Sequence, residues 1–204
     1  MHNCKEKVSV IIPVYNGQDT LRATVLSALN QTWWNLEVIV VDDGSEMTME
    51  PILQELADDR IFYYYKAGRS NANVARNYGI ERSSGDYIAM LDADDQWLDD
   101  HVESCLAFLQ ETGADGLYGS LYLSRDKAMQ VENCQIFIAR ALQEDESMID
   151  YLLAIGFGAQ TSSLFTTAAT AKDILWNPDL IDHQDYDFVV RFHKKYMLVP
   201  KLYP

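Results

Sequence analysis

Asp92, Asp94 and Asp95 stand directly after the apolar run Tyr87-Ile88-Ala89-Met90-Leu91. A buried strand that ends in carboxylates delivers oxygen atoms to one point at the carboxyl edge of a sheet, where open α/β sheets bind their ligands. In extended chain, residues i and i+2 point the same way, so Asp92 and Asp94 can face one site. Crowded carboxylates repel unless a hard cation sits among them, and oxygen-only ligation suits Mg²⁺ or Mn²⁺. Such ions commonly bridge one or two carboxylates to a substrate's phosphates. The competing reading of the same residues is a solvated acidic turn that caps the next helix.

Other chemistry-bearing residues sit at matching places. The first β-rich run ends Pro13-Val14-Tyr15-Asn16-Gly17 and the second ends at Asp42-Asp43. Tyr15 offers an aromatic face on which a base can stack, or is a half-buried aromatic at a strand end. Asp43 offers an acceptor for a ring N–H, which suits uracil or guanine, or begins a turn before Gly44; for Asp42 the turn or cap reading is preferred. Arg76 shares a helix face with the small residues Ala72, Ala75 and Gly79. A cation so placed contacts phosphate or base, or pairs structurally with Asp43 or Asp92. Asp185 and Asp187 lie in the first turn of a helix, where the dipole favours carboxylates. Two residues apart, they face different directions, so at most one enters a pocket; the alternative is N-terminal capping.

These residues need a scaffold, and the chain supplies one. Val8 to Val14, Leu36 to Val41, Ile61 to Tyr65 and Tyr87 to Leu91 read as strands. Between them, Leu21, Val25, Leu26 and Leu29, then Ile52, Leu53 and Leu56, then Ala72 to Ile80, recur at helical spacing, and Val102, Leu106 and Leu109 mark a further helix. Alternation of this kind implies right-handed crossovers and a mostly parallel, Rossmann-like sheet with helices on both faces. After Gly113 the rhythm becomes irregular. Gly116 to Leu123, Gln135 to Ala139 and Gln160 to Phe165 read as strands, and Ser147 to Ile155 and about Gln184 to Tyr196 as helices. The expectation is one α/β domain with a nucleotide-binding half, 1–112, and an acceptor and catalytic half, 113–204. The chain stops at Val199-Pro200-Lys201-Leu202-Tyr203-Pro204, just after a strand-like run, so a further C-terminal segment is expected.

At 204 residues, with 48% apolar and 23% charged residues, the chain has the make-up of a globular domain with a substantial core. A formal charge of −15 argues against a nucleic-acid surface, which needs clustered Lys and Arg. Cys4, Cys105 and Cys134 are scattered without metal-ligand spacing and read as reduced thiols of a cytosolic protein. Asn30-Gln31-Thr32 matches a glycosylation acceptor only by accident on that reading. No apolar stretch approaches the roughly 18 residues of a membrane span. The expected location is cytoplasmic, with peripheral attachment at the inner face of the membrane left open.

Taken in order, Ser9-Val10-Ile11-Ile12-Pro13-Val14-Tyr15-Asn16-Gly17, Leu29-Asn30-Gln31-Thr32, Val40-Val41-Asp42-Asp43-Gly44-Ser45, Gly68 with Ala75-Arg76-Asn77-Tyr78-Gly79-Ile80, Gly85 through Asp95, and Asp185-Tyr186-Asp187-Phe188 with Arg191 resemble glycosyltransferase family 2 and its GT-A fold. The resemblance implies an inverting enzyme using a nucleotide-diphosphate sugar, UDP-sugar favoured, and a glycan or lipid-linked acceptor, as in cell-surface polysaccharide biosynthesis. It implies Pro13, Tyr15, Asn16, Asp43, Arg76 and Asp92 around the nucleotide. Asp92 and Asp94 would form the DxD element that binds ribose and a divalent Mn²⁺ or Mg²⁺, with Asp95 an alternative ligand, and Asp185 would be the catalytic base. One position departs: many members carry Glu-Asp before the last helix, and here Gln184 precedes Asp185. Acceptor contacts are expected around Gly156 to Ser163, or that stretch is a flexible connection into a strand.

The rival readings are a non-catalytic nucleotide-sugar-binding module and a sugar nucleotidyltransferase. The latter uses a glycine-rich basic loop after its first strand, whereas Tyr15-Asn16-Gly17-Gln18-Asp19 has no basic residue. A P-loop is absent from the sequence.

Overall fold

The computed structural model describes residues 6–124, 134–156 and 159–203. Strands β1 (Val8–Val14) and β2 (Leu36–Asp42) are buried at every position, as expected of strands covered on both faces. Helix α1 (Leu21–Leu29) joins them. Helix α2 (Glu50–Gln54), β3 (Ile61–Tyr65), α3 (Ala72–Arg82), β4 (Tyr87–Met90) and α4 (His101–Thr112) follow. β1 pairs in parallel with β2 and with β4, and β2 with β3. The second half adds β5 (Gly116–Gly119), β6 (Leu121–Leu123), β7 (Gln135–Phe137), α5 (Met148–Ile155), β8 (Phe165–Thr167), α6 (Ala168–Ile174), α7 (Gln184–His193) and β9 (Leu198–Lys201).

The main sheet has seven strands in the order β3-β2-β1-β4-β8-β5-β9, and β6 pairs with β7 in a separate ribbon. β8 runs antiparallel to β4 and β5, while β5 and β9 are parallel. Alternate side chains of the strands feed two cores. Val8, Val10, Ile12 and Val14 pack with Leu21, Val25, Val102 and Leu106, and Ile11, Ile39, Val41 and Met90 pack with Ala75, Ile80, Phe188 and Phe192. Helices therefore cover both faces. α3 comes unusually near β1 because Gly79 has no side chain: a Cβ there would lie 2.7 Å from Ile11 Cγ2. That close packing brings Arg76, one turn earlier, to the carboxyl edge.

Three sequence expectations change. Gln160 to Phe165 is not a strand: Thr161–Ser163 form a 3₁₀ turn, and β8 begins only at Phe165. The Ser163 hydroxyl donates to the Gln160 carbonyl (2.8 Å), a local bond that competes with the ladder. Gly116 to Leu123 splits at Ser120, whose hydroxyl donates to Leu202 O (2.8 Å) and accepts from Ala139 N (3.0 Å). α6 was not foreseen; Thr167 caps it by accepting from Thr170 N, and an alanine-rich run continues it.

At the amino end of the sheet, away from the clustered aspartates, Glu37 is buried. It accepts from Lys7 Nζ (2.7 Å), Ser9 Oγ (2.6 Å) and Ser84 N (2.7 Å). Burial pushes this carboxyl up, but the donors outweigh it and hold the carboxyl below its ordinary value. A folded-state pKa below the unfolded one means stability that is present above the unfolded pKa and lost as pH falls through the folded one. Glu37→Gln should cost about 1–3 kcal/mol at neutral pH and flatten the loss of stability on acidification, as read from urea midpoints at neutral and acid pH.

Candidate active site

The register places Val14 beside Asp42 and Ile11 beside Met90, so Tyr15, Asp43 and Asp92 all leave the sheet at one edge. Asn16, at φ 52°, turns the chain there. Its N–H donates to Ser45 Oγ (2.8 Å) and its side-chain oxygen accepts from Glu46 N (3.0 Å), which ties the loop after β1 to the loop after β2. Asp42 accepts from Ser45 N (2.8 Å) and Tyr63 OH (2.7 Å); it fixes its own turn, as its sequence context implied. Asp43 is buried and accepts from the backbone N–H (2.9 Å) and the hydroxyl (2.5 Å) of Ser70.

The aspartate turn is held from two sides. Thr24 Oγ1 donates to Ala93 O (2.9 Å). From the second half, Ser162 Oγ accepts from Asp92 N (3.0 Å) and donates to Asp95 Oδ2 (2.5 Å), while Ser162 O accepts from Trp97 Nε1 (2.8 Å). Desolvation raises the Asp95 carboxyl above its ordinary value; the Ser162 hydroxyl opposes this and the charges of Asp92 and Asp94 add to it. Asp94 is exposed and, among the described residues, makes no hydrogen bond or ion pair. No group of three His, Cys, Asp or Glu converges as a metal cage among the described residues.

Arg76 is 4% exposed. One Nη donates to Asp92 Oδ1 (2.7 Å), and the other to Asn73 Oδ1 (3.1 Å) and Gln184 Oε1 (3.0 Å). Its guanidinium carbon lies 4.4 Å from the centre of the Trp176 ring. Asp185, the neighbour of Gln184, is thereby drawn towards Asp92 across one side chain. Desolvation raises its carboxyl; the N–H groups of Tyr186 and of Asp185 itself and the charge of Arg76 lower it, and Asp92 raises it. Asp187 is committed elsewhere, to Arg191 Nε and Nη2 (2.8 Å each), so only one of the two acids turns to this region.

Two adjoining clefts open at this edge. One, of about 520 Å³, is lined by Pro13, Tyr15, Asn16, Arg76, Asp92 and Asp94 among others. The second, of about 630 Å³, is lined by Tyr15, Asp43, Arg69, Ser70, Pro178 and Gln184 among others. Six of the nucleotide and metal candidates thus border the first and Asp43 borders the second; Asp185 lines neither, although its chain neighbour Gln184 lines the second. Asp95 is turned to Ser162. Of the stretch expected to meet an acceptor, Phe157 and Gly158 lie outside the described residues, and the hydroxyls of Ser162 and Ser163 are engaged within the protein.

The model of Glycosyl transferase family 2 matches residues 9–170. This chain belongs to that family. A Bacillus subtilis (strain 168) protein named as a teichuronic acid biosynthesis glycosyltransferase, TuaG, is 45% identical over 113 residues, 54% of this chain and 45% of its own. The Escherichia coli UDP-Glc:alpha-D-GlcNAc-diphosphoundecaprenol beta-1,3-glucosyltransferase WfaP is 36% identical over 121 residues, 59% of this chain and 48% of its own. The chain spans about half the length of these relatives. The fold is shared with residues 1–349 of S. aureus TarS in complex with UDP-GlcNAc, at TM-score 0.72 and 18% identity over 97% of this chain and 59% of that one. It is shared too with the mannosyltransferase PcManGT from Pyrobaculum calidifontis in complex with GDP-Man and Mn²⁺, at TM-score 0.71 and 13% identity over 97% and 55%.

In this family member, several side chains that position the site were not singled out from sequence. Asn71 and Asn73 donate to Pro178 O and Asn177 O (2.7 Å each), and Asn77 exchanges bonds with the backbone of Trp176 (2.7 Å each way). Two asparagines on α3 and a third, Asn71, that caps it were the available signal, and they anchor the loop that leads to Gln184 and Asp185. Gln31, within a motif that carried the resemblance, is buried: Nε2 donates to Ser27 O (3.0 Å) and Leu98 O (2.7 Å), and Oε1 accepts from Val102 N (2.8 Å). It pins the segment between the aspartate turn and α4. Gln31→Ala strands a buried donor and two acceptors, and we expect a loss of about 1–3 kcal/mol, read as a lower denaturant midpoint at unchanged slope.

Proposed function

We propose that this chain binds a nucleoside-diphosphate sugar, UDP-sugar favoured, in the paired clefts and passes the sugar, with inversion, to a hydroxyl of a glycan or lipid-linked acceptor in polysaccharide biosynthesis. The observation that carries the reading is the placement of Arg76, which contacts Asp92 with one nitrogen and Gln184, beside Asp185, with another. On this reading Asp92 serves the donor and Asp185 accepts the proton, and the shared contacts of Arg76 support placing the segments that carry them near one another. The named activity of WfaP, with a UDP-sugar and a lipid-linked diphosphate acceptor, and the UDP-GlcNAc complex of TarS favour uridine and a lipid-linked glycan. GDP-Man in PcManGT keeps guanosine in the panel to be tested.

On this reading Tyr15 stacks the base, Asp43 accepts from its ring N–H, and Pro13 and Asn16 shape the wall between base and ribose. Asp92, fixed by Arg76 and by Ser162, faces the ribose. Asp94 is the carboxylate best able to hold a divalent cation, since it is exposed in the cleft and unengaged among the described residues; such an ion would complete its shell with phosphates and water. When bound, such an ion would supply Lewis-acid stabilisation of the departing diphosphate, worth several kcal/mol. The acceptor oxygen attacks the anomeric carbon as the bond to the diphosphate oxygen breaks, and Asp185 takes the hydroxyl proton. General-base help of this kind is worth about 10²–10⁴-fold. No helix among the described residues is long and apolar enough to cross a membrane.

Asp185→Asn should retain nucleotide-sugar binding and lose transfer by at least about 10²-fold, measured as nucleotide release in the presence of acceptor and as donor binding by calorimetry. Full transfer by Asp185→Asn would remove it from the role of base. Asp94→Ala should lose the part of nucleotide binding that depends on Mn²⁺, and chelation should weaken binding by the native chain to the same level. A base works deprotonated, and the Asp185 carboxyl is raised by desolvation. kcat/KM should therefore fall on the acid side at a pH above the ordinary aspartate range, with that limb absent from the residual rate of Asp185→Asn.

A further inference from the structure

Arg69 was not among the site residues read from sequence, yet its position is built. Ser70, next to it, donates twice to Asp43. Gly44, at φ +80°, has no side chain, and a Cβ there would come 2.9 Å from Gly68 C and 3.0 Å from Arg69 N. The 68–69 backbone thus rests directly on the turn that carries Asp43. From this seat the Arg69 guanidinium lies over the Tyr15 ring, 4.3 Å from its centre. The side chain is exposed and makes no hydrogen bond or ion pair among the described residues, although Asp19, Asp43, Asp92, Asp94 and Asp179 all line the two clefts. The other arginine of the clefts, Arg76, has both terminal nitrogens engaged, while its buried Nε has no partner among the described residues. An arginine that passes over several carboxylates to lie on an aromatic face presents a flat cation where a flat ligand would lie.

We propose that Arg69 and Tyr15 form a two-sided stack around the donor's nucleobase, ring on one face and guanidinium on the other; this rests on the nucleotide reading of the clefts given above. A planar base needs about 3.5 Å on each face. The Arg69 tip must therefore lift by roughly 3 Å, which its long exposed stem allows while the backbone stays anchored on Gly44 and Asp43. Guanidinium planes stack on aromatic systems where an ammonium cannot. The edge of the base then meets Asp43, so stacking and hydrogen bonding are supplied by neighbouring residues of one loop pair.

Calorimetric titration of the native chain, Arg69→Ala and Arg69→Lys with UDP, UMP, GDP and GMP, each with Mn²⁺, tests this. Arg69→Ala should weaken the diphosphate and the monophosphate of the preferred base by the same factor, about tenfold, with an unchanged thermal midpoint. Arg69→Lys should recover only a minor part of that loss. Unchanged affinity in Arg69→Ala would overturn the stack. So would a loss confined to the diphosphates, which would put Arg69 on phosphate, or full rescue by lysine, which would make charge rather than shape the cause. Failure of the native chain to bind any of the four would instead remove the nucleotide reading, and this inference with it.

Discussion

A buried guanidinium holds the two halves of this molecule in register. Arg76 has almost no access to water, and a charge in that position is tolerated only where it is paired and hydrogen-bonded. Its partners come from α3 itself, from the end of β4 and from the start of α7, and Trp176 covers its face. Moving any of these elements away would leave the cation stranded at a cost of several kcal/mol. The consequence is geometric: the chain segments bearing Asp92 and Asp185 cannot drift apart without exposing or orphaning the same side chain. Stability and site geometry are one constraint here.

The rest of the edge follows a similar economy, in which each loop is fixed by a residue of another loop. Ser162 reaches from the second half to hold Asp92 and Asp95. Gln31 holds the stretch after them, and Asn16 and Ser45 join the turns after β1 and β2. The effect is to sort three adjacent aspartates into different states. Asp92 is ion-paired, Asp95 is hydrogen-bonded and raised, and Asp94 is unengaged among the described residues and exposed. Loops tied in this way lose less freedom when a ligand arrives, which is how a preorganised site spends binding energy on the ligand rather than on its own ordering.

The scaffold was largely legible because its signals are local. Val8–Val14 and Leu36–Asp42 are near-continuous apolar runs, and only a strand covered on both faces needs them. Once four such runs alternate with helical spacing, the carboxyl edge and the grouping of Tyr15, Asp43 and Asp92 follow from topology alone. The fine assignment did not follow, since it depends on contacts between residues far apart in the chain. The bond that turns Asp95 aside spans 67 residues, and those from Asn77 to Trp176 span 99. A serine or an asparagine carries no periodicity by which such a role could be read. The second half was harder for a related reason: its strands are three or four residues long, so a single Ser120 or Ser163 side-chain bond is enough to end one.

Gln184 shows how the electrostatics of the site are balanced by a residue that looked like a defect in the family pattern. Arg76 brings one positive charge, and Asp92 already uses it at 2.7 Å. An acid at 184 would add a second anion to the same guanidinium and set it one residue from Asp185. Asp185, whose carboxyl is already raised by desolvation and by Asp92, would be pushed higher and would hold its proton more tightly. An amide keeps the hydrogen bond to Arg76 without that charge, and its nitrogen donates back to Leu180 O (3.2 Å) and Ile181 O (3.0 Å), closing the turn before α7. The substitution therefore preserves position while lowering the local negative charge. In a chain of net charge −15, that is the direction in which the field would have to move for the proposed diphosphate donor to enter.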